Sequence, residues 1–376
     1  MAHDLREAAR GNASVASTRR SNVPASSAPE LYAALDLGTN SCRMLIATPD
    51  TGYFRVVDAF AKCVRLGAGL EYTGYLSRSA IGRTLSALGV CANKLRQHQV
   101  ENVRLVATEA CRRARNGPRF LNSVTRETGL KLELIKPEEE ARLAVISCAP
   151  LVQPEVDQVL IFDIGGGSTE LIWIDLTDVA PLERQRAIVN LGMSGDGAIE
   201  PGGARIVDFI SVPLGVATLH DRYSDVAEDG ARFALMSWYF EEQLLGFKPY
   251  LDDLAAKAGS NFQMIGTSGT VTTIGAAHLG LRRYDRRKVD GLTLTADAID
   301  AVIARFLRLG PSGRRKDIAL GRDRSELIMS GAAILQTLLR IWPTQAMRVA
   351  DRGLREGMLF SMMSANGVFA GGLRQE

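Results

Sequence analysis

A strand ending in aspartate, a glycine turn and a returning strand occur twice in this chain of 376 residues. The first unit runs through residues 31–37, turns at Gly38 and Asn40, and returns through residues 42–47. The second runs through residues 158–163, turns at residues 164–168, and returns through residues 169–174. Short apolar runs bounded by Gly and Asn read as buried strands joined by tight hairpins. A unit repeated in this way predicts two related α/β lobes. The chain length also suits about two domains.

The intervening pattern fills in both halves. A third strand is expected over residues 54–66. A helix opens after Ser77, a favourable N-cap, with Ile81, Leu85, Leu88, Ala92 and Leu95 on one face. Strands follow near residues 103–107 and 132–135, and a helix over 138–148. Pro150 and Pro154 mark a boundary between the halves. Later helices are expected at 231–246, 268–279, 296–309 and 325–341, with strands at 262–265 and 347–349. Residues 191–209 are glycine-rich without a period and read as a loop. The domain reading is an arm over residues 1–30, one lobe over 31–150 and another over 151–376.

Bulk composition excludes several classes. Hydrophobic residues make up 46% and charged residues 23% of the chain, an ordinary globular balance. A net charge of +3 gives no reason to expect a nucleic-acid or membrane partner. The five cysteines, with no CxxC pair, suggest a reducing, cytoplasmic setting rather than a disulfide framework. No run of about 18 apolar residues is present, so no membrane span is expected.

Three loops carry the chemistry. In Asp36-Leu-Gly38-Thr39-Asn40-Ser41, glycine permits close backbone approach and the next three side chains add donors. Such a turn can hold phosphate oxygens. A hairpin with an Asx turn would look similar. In Asp163-Ile-Gly165-Gly166-Gly167-Ser168-Thr-Glu170, three glycines exceed what a plain hairpin needs, and close approach of a phosphate would explain them. Gly266-Thr-Ser268-Gly269-Thr270 follows a strand and precedes a helix. Free amides there would attract an anion, or would simply be capped by Ser268 or Thr267. No GxxxxGK[ST] motif is present. Asp36, at a strand end, could hold Mg²⁺ through water.

In this order the loops resemble those of the actin, hexokinase and heat-shock chaperone ATPase superfamily. The match is closer to the exopolyphosphatase/guanosine pentaphosphate phosphohydrolase family. It is carried by the first two loops, Ala107-Thr-Glu-Ala-Cys-Arg112, Glu138-Glu-Glu140-Ala-Arg142, the Gly266–Thr270 stretch and Asp351-Arg-Gly-Leu-Arg-Glu-Gly357. The resemblance implies an α/β fold of two actin-like (ribonuclease H-like) lobes, each a mixed sheet with flanking helices, with the active site in the cleft between them. It implies Glu140 as the base that activates water, chosen among three adjacent acids by the family's Glu-Ala-Arg pattern. Asp163 and Glu170 would join Asp36 at a Mg²⁺ site or position the water, and Arg112 would lie against the phosphate chain. The implied ligands are inorganic polyphosphate or guanosine penta- or tetraphosphate, and the implied assembly is a homodimer. With the last motif at Gly357 close to its end, the sequence resembles the family's short, two-domain form rather than the longer form with a C-terminal HD-like domain. A kinase or ATPase of the same superfamily, and a non-catalytic alarmone sensor, are the competing readings. Intact acids at 140, 163 and 170 weigh against the sensor.

Overall fold

The two hairpins of the sequence each seed one sheet. The computed structural model describes residues 30–51, 53–193, 203–252, 261–317, 320 and 322–368. In the first sheet, β1 (Tyr32–Leu37), β2 (Ser41–Asp50) and β3 (Tyr53–Cys63) form an antiparallel meander. Helices α1 (Leu70–Thr73) and α2 (Arg78–Gln97) lead to β4 (Asn102–Ala107), which pairs parallel with β1. Ser77 caps α2 by accepting from the Ala80 amide, as its position predicted. Helices α3 (Glu109–Arg113) and α4 (Gly117–Thr128), strand β5 (Glu133–Leu134) and helix α5 (Pro137–Cys148) complete this half.

The second half repeats the plan. Strands β6 (Gln158–Ile164) and β7 (Thr169–Asp175) form the second hairpin. Helix α6 (Arg184–Met193), strand β8 (Arg205–Val212), and helices α7 (Val216–Arg222), α8 (Asp229–Glu242) and α9 (Lys248–Leu251) precede β9 (Phe262–Thr267). Then come α10 (Ser268–His278), α11 (Arg286–Val289), β10 (Thr293–Thr295), α12 (Ala296–Lys316), α13 (Arg322–Ser325), α14 (Ile328–Ile341), β11 (Ala346–Ala350) and α15 (Leu354–Ala365). The strand orders are β3-β2-β1-β4-β5 and β10-β11-β9-β6-β7-β8. Setting β10 aside, β8-β7-β6-β9-β11 reproduces the first sheet strand for strand, including the parallel β1/β4 and β6/β9 pairs. The expected pair of mixed sheets is therefore present.

One expectation is corrected. Residues 191–209 are not all loop, since α6 runs to Met193 and β8 begins at Arg205. Strand β8 lies at a sheet edge and is only partly covered along most of its length, so it shows no clear alternation of apolar and polar residues. Residues 194–202, and the arm over residues 1–29, lie outside the described residues. No helix among the described residues is long and apolar enough to cross a membrane.

Helices α5 and α15 lie between the sheets. Ala141, Val145 and Cys148 of α5 pack with Val159, Ile161 and Ile172 of the second sheet. Met358, Leu359 and Met363 of α15 pack with Tyr32, Ala34 and Leu45 of the first. A Cβ on Gly357 would stand 2.1 Å from the Leu143 carbonyl oxygen, so glycine allows the two helices to cross this closely. The last helix thus returns to the first sheet, and the chain from Leu31 onward forms one compact unit.

Gly266 is a core residue rather than a phosphate-loop residue. It lies within β9, and an added Cβ would meet Phe162 Cζ at 2.4 Å and Met347 Cε at 2.6 Å. Gly266→Ala is expected to lower unfolding free energy by about 1–3 kcal/mol through overpacking, measured by urea denaturation. Unchanged stability together with weakened substrate binding would contradict this assignment.

Candidate active site

The two hairpin loops meet face to face. Each closes with the same bond: Gly38 donates to the Ser41 carbonyl at 2.9 Å, and Gly165 to the Ser168 carbonyl at 2.9 Å. The contact between the loops explains the glycines better than a ligand alone does. A Cβ on Gly166 would stand 2.9 Å from the Asn40 amide nitrogen, and one on Gly167 would stand 2.3 Å from Thr39 Oγ1. Two of the three glycines are therefore required by the neighbouring loop.

Helix α7 orients the second loop. The Val216 amide donates to the Gly165 carbonyl at 2.9 Å, and the Ala217 amide to the Gly166 carbonyl at 2.8 Å. A trans peptide sends its N–H opposite to its C=O. The Gly166 and Gly167 amides therefore point away from α7, and among the described residues neither donates to a protein acceptor. On the first loop, the Thr39 carbonyl accepts from Gly67, and the Asn40 carbonyl accepts from Val64 and Arg65. The Thr39 hydroxyl is buried without a partner. The result is a nest of polar donors at the mouths of both hairpins.

These loops line a cleft of about 430 Å³. Asp36, Gly38, Thr39, Asn40, Ser41, Glu140, Asp163, Gly165, Gly166, Gly167, Ser168, Ser268, Gly269 and Thr270 border it. The third loop holds Ser268 at φ +85°, a left-handed backbone that is strained for a non-glycine residue. Its hydroxyl donates to the Ile164 carbonyl at 2.7 Å and so ties the third loop to the second. Gly266, Arg112 and Glu170 do not border the cleft.

The three adjacent acids of α5 separate cleanly. Glu138 is exposed, and Glu139 is held by Arg104 at 2.7 Å and Arg142 at 2.5 Å. Of the three, only Glu140 faces the cleft. Burial raises its pKa well above the usual carboxylate range, and the neighbouring Glu170 adds to this. Asp163 is pushed up to about 6, by burial first and by Asp36 second, with Arg43 opposing. Glu170 is 1% exposed, accepts from Ser211 at 2.9 Å, and is raised to about 7 by burial and by Asp163.

The expected three-carboxylate metal set is not closed. Among the described residues, no three His, Cys, Asp or Glu side chains are grouped to hold a metal. Asp36 and Asp163 both border the cleft, whereas Glu170 is buried away from it. Asp36 and Asp163 are the two carboxylates there that could hold a Mg²⁺ ion, a hard cation that prefers carboxylate oxygens.

The sequence reading missed Arg43 and Lys62. Both border the cleft, and neither has an ion-pair partner among the described residues. Arg43 stands directly across the hairpin from Asp36, as Glu170 stands across from Asp163. Its Nη2 reaches to 3.5 Å of where a Gly269 Cβ would stand, which brings a cation to the third loop. The available signal was the seven-residue spacing from Asp36, which hairpin register converts into a cross-strand pair.

A family model described as "Ppx/GppA phosphatase family" matches residues 45–366. A Haemophilus influenzae protein named "Putative exopolyphosphatase" is 27% identical over 331 residues, covering 88% of this chain and 90% of that one. An Aeromonas hydrophila guanosine-5'-triphosphate,3'-diphosphate pyrophosphatase is 27% identical over 339 residues, covering 89% of this chain and 60% of that one. This chain therefore spans less than two thirds of the second relative. Among solved structures, the Aquifex aeolicus member of the Ppx/GppA family superposes with a TM-score of 0.67 at 27% identity, over 90% of this chain and 98% of that one. An exopolyphosphatase from Cytophaga hutchinsonii superposes at 0.74 with 21% identity, over 89% of this chain and 98% of that one, and bears on the fold alone.

Proposed function

This chain belongs to the Ppx/GppA phosphatase family, and from that we propose that it hydrolyses the terminal phosphoanhydride of inorganic polyphosphate, of guanosine pentaphosphate, or of both. The observation that carries the mechanism is Glu140. It is the one acid of its cluster that borders the cleft, which it shares with the loop whose Gly166 and Gly167 amides donate to no protein acceptor among the described residues.

The amides of Gly166 and Gly167, the Thr39 hydroxyl, and the cations of Arg43 and Lys62 would hold the terminal phosphate. Phosphoryl transfer needs positioning and charge neutralisation more than covalent help from the protein. Glu140 takes a proton from water as its oxygen bonds to the terminal phosphorus. The bond from that phosphorus to the bridging oxygen breaks, and the electron pair leaves with the shortened chain. The proton then passes from Glu140 to the products or solvent. Asp36 and Asp163 would hold Mg²⁺, which when bound neutralises charge on the phosphate oxygens. A raised pKa suits Glu140 to accept a proton near neutrality.

The test supplies purified protein and Mg²⁺ with long polyphosphate, guanosine pentaphosphate or ATP, and measures released phosphate. Release from either of the first two supports the reading, and their ratio assigns the substrate. Release from none of them refutes it.

A further inference from the structure

Arg112 carries a role that the expected phosphate contact does not describe. Its guanidinium has five N–H donors in a fixed plane. Nε and Nη2 donate to Glu109 Oε2 at 3.2 and 2.9 Å. Nη1 donates to the Ile135 carbonyl at 2.8 Å and to Glu140 Oε2 at 3.1 Å. One N–H of the five is left, too few for the two-pronged grip that makes arginine a phosphate ligand. The group also lies outside the residues bordering the cleft.

The anchoring is unusual in its placement. Ile135 lies just before α5, which carries Glu140 three residues into its length. One nitrogen of Arg112 therefore grips both the entry to α5 and the carboxylate that α5 delivers. Glu109 begins α3, the helix that bears Arg112, and holds the guanidinium from its other edge. Side-chain exposures are low throughout, at 15% for Arg112, 15% for Glu140 and 12% for Glu109, so these contacts are poorly screened. Oε2 of Glu140 is occupied by this bond, which leaves Oε1 to meet a water.

Taking Glu140 as the base from the proposed function, we infer that Arg112 is a positioning residue for Glu140 and not a phosphate ligand, and that Glu109 divides its charge with Glu140. Every other charged group acting strongly on Glu140 is an acid: Glu170 on β7, Asp36 on β1 and Asp163 on β6. Among the groups acting most strongly on Glu140, Arg112 is the cation that opposes them, and two carboxylates share it.

This gives shifts of opposite sign in two variants. Arg112→Gln removes the opposing charge, so Glu140 binds its proton more tightly. The acidic limb of the kcat–pH profile then moves to higher pH, by about 1 unit or more. Turnover at neutral pH falls about 100-fold as the carboxylate loses its anchor, while KM changes little. Glu109→Gln gives Glu140 a larger share of Arg112, so the acidic limb moves to lower pH. Arg112→Lys keeps the charge but not the fork, and should restore the limb more than the rate.

The experiment measures kcat and KM across pH for the full chain with long polyphosphate and Mg²⁺, in wild type, Arg112→Gln, Arg112→Lys, Glu109→Gln and Glu140→Gln. Opposed limb shifts in Arg112→Gln and Glu109→Gln support the inference. A tenfold or larger rise in KM for Arg112→Gln with an unmoved limb makes Arg112 a phosphate ligand and overturns it. If Arg112→Gln does not fold, a Glu109→Gln limb that stays still or moves upward overturns it as well. Full turnover in Glu140→Gln would instead refute the base on which the inference rests, a distinguishable result.

Discussion

Glu140→Gln is expected to lower kcat for phosphate release by about 10²–10⁴-fold, the usual worth of a positioned general base. Glutamine keeps the shape and can still accept from Arg112, but it cannot take the proton. Its effect on folding should run the other way. Burial raises the Glu140 pKa above its ordinary value, so the folded protein binds that proton more tightly than the unfolded chain does. Such a group favours the fold below its unfolded pKa. The benefit disappears as pH rises through the folded pKa. Above its unfolded pKa the wild type therefore bears a cost for burying this group, and glutamine removes it. The melting temperature of metal-free Glu140→Gln should equal or exceed that of wild type at pH 7. Lost turnover with an unlowered melting temperature separates chemistry from misfolding. Retained turnover would remove Glu140 from the mechanism.

Substituting the two other acids of that helix should do much less. Glu138 is exposed, and Glu139 lies between Arg104 and Arg142. Only helix periodicity separates the three, because successive residues of a helix point about 100° apart. Sequence alone found the acidic cluster but could not rotate it. The family's Glu-Ala-Arg pattern points to Glu140, and of the three acids it is the one that borders the cleft.

Other features were legible for local reasons. Both hairpins announce themselves because strand, turn and strand are contiguous, and register then follows from the tight turn. Helix α2 was placed to its capping residue. The helix expected over 296–309 stops where Gly310 breaks it at φ 61°, although the chain resumes a helical path to Lys316 at once. What escaped depends on tertiary contact. Gly266 sits in a phosphate-loop pattern, yet its missing side chain is required by Phe162 and Met347, which are far away in sequence. Arg112 sits in a motif suited to phosphate, yet its donors are turned to Glu109, Ile135 and Glu140. Residue type indicated a polar or permissive position in each case, while only the fold determined its partner.

Gly215 is the position where a single methyl should do the most damage to the phosphate loop. It stands before α7 with an extended backbone, φ −117° and ψ −172°, which alanine adopts without strain. The obstacle is purely steric. An added Cβ would stand 2.5 Å from the Gly165 carbonyl oxygen, 2.5 Å from the Gly166 carbonyl carbon and 2.6 Å from the Gly167 nitrogen. All three are backbone atoms, so no side chain can swing aside. Either α7 withdraws, and the Val216 and Ala217 amides release the loop carbonyls, or the loop shifts toward Thr39 and Asn40. Both routes reorient the Gly166 and Gly167 amides. Gly215→Ala is therefore expected to cost about 3 kcal/mol of stability and about 100-fold in kcat/KM, since a misplacement of about 1 Å at a positioned group has that effect. Gly82→Ala supplies the contrast. Gly82 is exposed within α2, and a Cβ there meets nothing within 4 Å. That variant should gain about 0.5–1 kcal/mol with unchanged kinetics. Urea denaturation and phosphate release on both variants decide the matter. A Gly215→Ala protein as stable and as active as wild type would mean that α7 does not set the geometry of the loop.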